Sequence, residues 1–82
     1  MITSEQLRAA RALLHWDQKR LAVASKVSTA TIKRLEPLSA PLRANQVTVE
    51  ALRRALETAG IEFIPENGGG PGVRLVRPLD PQ

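Results

Sequence analysis

The chain has 82 residues with 12 Lys and Arg, 8 Asp and Glu, one His and no Cys, giving a net charge of +4. That length allows a single core which buries only about 60% of the unfolded surface. Without cysteine, disulfides and zinc–thiolate sites are excluded, and one histidine cannot build a metal site alone, so oligomerisation is the support expected for so small a domain.

Thr3 to Leu14 predicts the first helix. Thr3 and Gln6 have the spacing of a capping box, and Leu7, Ala10 and Leu14 recur at three and four to form an apolar stripe; Arg8 and Arg11 are expected to face outward. A break falls near His15–Trp16. Asp17 then caps a short second helix, Gln18 to Ser25, with Leu21, Ala24 and Ser25 turned inward. Ser28 caps a third, which runs to about Glu36 and stops at Pro37; its inward residues are Ile32 and Leu35. Pro37 to Ala44 holds two prolines and a serine and predicts a loop. Asn45 caps a fourth helix to about Ala59, with Val49, Leu52, Leu56 and Ala59 on one face and Gly60 as its C-terminal glycine.

The period changes after Gly60. Ile61–Ile64 and Gly72–Arg77 are β-rich runs around PENGGGPG and predict a hairpin. Residues 78–82 predict a frayed tail. The expected fold is mainly α: four helices over residues 1–60, then a β-hairpin over 61–77. An isolated hairpin is marginal in water, so this one must pack on the helices or pair with another chain.

Charge is unevenly placed. Residues 1–43 hold eight Lys and Arg against three Asp and Glu, and residues 44–82 hold four against five. A one-sided basic field is the footprint of a polyanionic partner. Within it, Gln18 to Leu35 carries Lys19, Arg20, Lys26, Lys33 and Arg34 and no acid. Projected at about 100° per residue, the third helix gathers Thr29, Ala30, Lys33 and Arg34 on the side opposite Ile32 and Leu35. A helix about 10–12 Å wide fits the major groove of B-DNA. Thr29 and Ala30 suit a base edge or a thymine methyl, and Lys33 and Arg34 suit guanine or a phosphate. Gln18, Lys19 and Arg20 at the start of the second helix suit a phosphate. Ser28, Thr31 and Arg43 complete the expected phosphate-contacting set.

Gln18, Leu21-Ala22, Val27-Ser28-Thr29, Thr31-Ile32 and Leu35-Glu36 together resemble the helix-turn-helix of the Cro/repressor-like (XRE-type) family of bacterial and phage DNA-binding proteins. The preceding RAARALLHWDQ and the tail IEFIPENGGGPGVRL are similar to those of short members, so the resemblance covers nearly the whole chain. It implies a third helix in the major groove, a backbone contact by Gln18, base reading by Thr29, Ala30, Lys33 and Arg34, and a homodimer on a two-fold symmetric operator. Members often have glycine where this chain has His15 and Lys26, and again after Glu36.

Other features have plainer readings. His15 suits a helix C-terminus rather than a catalytic base, and Trp16 a core or staple position rather than a base stack. GGGPG lacks the Gly-Lys-Ser/Thr ending and the following helix of a phosphate loop. Glu50 and Glu57 suit ion pairs with Arg53 and Arg54. No nucleophile, cofactor or metal grouping appears, so no enzyme is expected. The hairpin suits either a wing, with Arg74 and Arg77 on phosphates, or a dimer sheet in which Ile61, Phe63, Val73 and Leu75 share an apolar face; small size favours the second. The alternative function is an antitoxin, which masks a toxin protein while repressing their operon. A polar N-terminus and the lack of an apolar run of about 18 residues point to a cytoplasmic, nucleoid-associated protein.

Overall fold

The computed structural model of the chain describes residues 2–39 and 41–76, so the expected tail and Arg77 lie outside the described residues. Four helices precede a two-stranded antiparallel hairpin: α1 (Ser4–Leu14), α2 (Gln18–Ser25), α3 (Thr29–Leu35), α4 (Gln46–Thr58), β1 (Ile61–Ile64) and β2 (Gly72–Leu75). Among the described residues no helix is long and apolar enough to cross a membrane.

Each helix begins at the capping residue its sequence calls for. The Thr3 hydroxyl accepts from the Gln6 backbone at 3.0 Å while the Gln6 side chain accepts from the Thr3 N–H at 2.9 Å, closing the capping box. Asp17, Ser28 and Asn45 accept from the backbone N–H groups of Arg20, Thr31 and Thr48.

The helix ends are equally local. His15 is left-handed at φ 58. Its N–H donates to the Ala12 carbonyl at 3.1 Å and that of Trp16 to Arg11 at 3.0 Å, the paired bonds of a Schellman ending. Lys26 is left-handed at φ 63 and donates to Ala22 at 2.8 Å. Both residues stand where the resemblance favours glycine, and the backbone there does take the conformation glycine favours. Gly60, at φ 111, turns the chain from α4 into β1, and its carbonyl accepts from Val76 at 2.7 Å.

One core joins all six elements. Leu7, Leu21, Ile32, Leu35, Leu52, Leu56 and Ile61 are completely or almost completely buried, with Ala10 beside them. Ile2 and Leu42 are core residues that the sequence pattern did not mark. The Leu42 N–H donates to the Ile2 carbonyl at 3.1 Å, and Thr3 bridges Pro41, so the loop after α3 is pinned to the start of the chain. Ala24, expected inside, is exposed.

The hairpin register sets Ile61 opposite Leu75 and Phe63 opposite Val73. These four side chains therefore share one face, and it lies on the helices. Gln6 fastens the hairpin by donating through Nε2 to the carbonyls of Gly72 at 2.8 Å and Ile64 at 3.3 Å.

Candidate nucleic-acid interface

α3 has seven residues. A helix that short has no stability of its own in water, so its position is set by what holds it. Ser28 caps its first turn and Ile32 and Leu35 are completely buried. Its C-terminal end, where carbonyls lack helical partners, is met by one face of α1. Ser4 Oγ donates to the Leu35 carbonyl at 2.7 Å. Arg8 donates to the carbonyl of Glu36 and, at 2.9 Å, to that of Leu38. Arg11 makes a two-pronged contact with the Glu36 carboxylate at 2.6 and 2.8 Å and also holds the Trp16 carbonyl at 2.7 Å.

Arg8 and Arg11 therefore do not simply face outward: both are half-buried and bind the end of α3. Ser4, Arg8 and Arg11 lie four and three apart and so share a face of α1. Glu36 is the single acid between Gln18 and Arg43, and its isolation among cations was the available signal for this pairing. Its side chain is only 4% exposed. Burial pushes the Glu36 carboxyl up, but hydrogen bonds from Arg11 and Gln18 and the charges of Arg11 and Arg8 outweigh it, leaving the group below its ordinary value. The bond to Glu36 raises Arg11 in turn, against the opposing effect of burial. Among the described residues no buried side-chain N or O lacks a partner.

The outer side of α3 is different. Lys33, Arg34 and Ala30 are exposed and Thr29 is half-buried at the N-terminal turn. None of the ion pairs among the described residues involves Lys19, Arg20, Lys26, Lys33, Arg34 or Arg43. Lys33 and Arg34 sit in the last turn, where cations complement the helix dipole.

The expected phosphate contacts are more mixed. Lys19 and Arg43 are exposed. Arg20 lies over the Trp16 ring, 5.3 Å from its centroid, and still reaches solvent. The Gln18 amide donates to Glu36 at 2.9 Å, which ties the start of α2 to the end of α3 and leaves one amide N–H for another acceptor. The Asp17 carboxylate takes the Arg20 N–H at 2.7 Å, so that part of the α2 N-terminus already has an anion. The hydroxyls of Ser28 and Thr31 bond each other at 2.9 Å within the cap.

The hairpin bears on the detail of both readings. Arg74 is held by Glu62 across the strands at 2.8 Å, so it is not a bare cation for a wing. Ile61 is 1% exposed within its own chain and cannot contribute a side chain to a shared face. Phe63, Val73 and Leu75 are half-buried against the same core. Strand edges remain: the sheet has two strands, and the Val76–Gly60 bond sets the alternation so that the backbone groups of Val73 and Leu75 point away from β1.

No protein-family model and no curated protein matches the chain.

Proposed function

We propose that this protein is a sequence-specific double-stranded DNA-binding regulator of the Cro/repressor-like (XRE-type) kind, with α3 as its reading helix in the major groove. The observation that carries the reading is the two-sidedness of α3. Ile32 and Leu35 are completely buried while Lys33 and Arg34 stand exposed with no carboxylate partner among the described residues. Both ends of the helix are fixed, by the Ser28 cap and by the Ser4, Arg8 and Arg11 contacts. A side chain on such a helix meets a base edge with little left to order, and good bidentate contacts of that kind discriminate by about 1–3 kcal/mol.

In this reading Thr29, Ala30, Lys33 and Arg34 read bases, and Lys19, Arg20, Arg43 and the remaining amide N–H of Gln18 hold phosphates. The regulator acts as a homodimer, with the outer edge of β2 pairing with its counterpart in a second copy. Selection from a random duplex pool at physiological salt tests the proposal. A two-fold symmetric motif is expected; recovery of no enriched sequence contradicts it, because non-specific binding is electrostatic and falls steeply with salt.

A further inference from the structure

α4 has a second apolar side. Its core face carries Leu52 and Leu56, both fully buried. A neighbouring face carries Val47, Ala51, Ala55 and Thr58, and together with Trp16 and Ala24 these line an open groove of about 790 Å³ between α4 and the end of α2. Val47 is 80% exposed, and none of the described residues covers that end of the groove. Ala24, Ser25, Ala51, Ala55, Thr58 and Ala59 are small side chains, which let a second helix approach closely, and Val47 to Thr58 run about 17 Å at helical rise, some three turns.

The charges around the groove are unequal. Lys26 and Arg54 line it, are exposed and take part in no ion pair among the described residues. Glu50, the one acid among the described residues that line it, is already gripped by Arg53 at 2.6 Å. An apolar trough with two unpaired cations suits an apolar stripe flanked by carboxylates. A second copy of this chain would bring the same cations, so like charges oppose that arrangement.

We infer that the groove between α2 and α4 is a docking site for an acidic amphipathic helix of a partner protein. The site lies off the exposed face of α3 and holds whether or not the chain binds DNA. Trp16, the chain's only tryptophan, lines the groove, so its emission reports occupancy directly.

The test is a fluorescence titration of the full chain with a stapled helical peptide of about 15 residues, Leu at i, i+3, i+4 and i+7 and Glu elsewhere. A second peptide carries Lys in place of Glu. The Glu peptide should shift Trp16 emission saturably and the Lys peptide should not. Val47→Asp and Arg54→Glu alter exposed positions that leave the fold intact, and each should weaken the Glu peptide by about tenfold or more. Equal response to both peptides, response to neither, or an unaltered affinity in both variants overturns the inference. An emission change on concentrating the protein alone, with a doubled sedimentation mass that Val47→Asp abolishes, also overturns it and assigns the groove to a second copy.

Discussion

α3 and α4 each carry two cations, and Arg53 of α4 is used in the opposite way to Lys33 and Arg34 of α3. In α4, Arg53 bridges Glu50 at 2.6 Å and Glu57 at 3.1 Å, three and four residues away on the same helix. In α3, Lys33 and Arg34 take part in no ion pair among the described residues, and the single acid of the region, Glu36, is turned inward to Arg11 and Gln18. A cation that its own helix neutralises says little about partners. A cation left bare beside buried anchors, on a helix too short to stand alone, is what the proposed reading helix rests on.

The sharpest way to break the contrast is to remove what holds α3. Arg11→Ala leaves Glu36 buried without its main partner and should cost about 3 kcal/mol in urea unfolding. The same measurement at falling pH sharpens the point. The folded protein holds Glu36 below its unfolded pKa of about 4.3. Its stabilisation is therefore whole above that value and is lost as pH falls through the lower folded value. Glu5, Glu50 and Glu62 are also held low, by bonds from Ser39, Arg53 and Arg74 respectively. Comparison with Arg11→Ala isolates Glu36: the variant should lose less stability than the parent over the acid range.

On binding rather than stability, Arg34→Ala should weaken the selected duplex by about 1–3 kcal/mol and relax its sequence preference, with the unfolding midpoint unchanged. Lys19→Ala should weaken selected and scrambled duplexes alike and reduce the salt slope by about one. If the two variants behave alike on both duplexes, the division between reading and positioning is wrong. The smallest effect belongs to α4: Arg53→Ala removes helix-surface pairs of the kind that contribute little, and should barely move the unfolding midpoint and leave DNA affinity nearly untouched. A large binding defect there would erase the distinction between the two helices.

What the sequence displayed was local. Thr3, Asp17, Ser28 and Asn45 announce helix starts through their own side chains, and the spacing of Leu7, Leu21, Ile32, Leu35, Leu52 and Leu56 announces one buried face. The strand pair was likewise legible from the β-rich runs Ile61–Ile64 and Gly72–Arg77 around glycines, although β2 ends at Leu75, and the contrast between the two sides of α3 from helical projection. The hidden part was long-range. Nothing near Arg8 or Arg11 says that their partners lie on the residues just after α3, because those bonds join segments 25 or more residues apart. Leu42 sits among prolines and reads as loop, yet a backbone bond to Ile2 draws it into the core. Ile61 looked available for a partner because alternation marks a face but cannot say whose core that face meets.

The proposed contact between DNA and the exposed side of α3 has a direct test. Amide-resolved NMR titration with the selected duplex at physiological salt tests it residue by residue. The largest shifts should fall on Thr29, Ala30, Lys33 and Arg34, with smaller ones at Gln18 and Lys19 and little along α4. Saturable binding that leaves α3 unmoved while α4 or the hairpin shifts would contradict it.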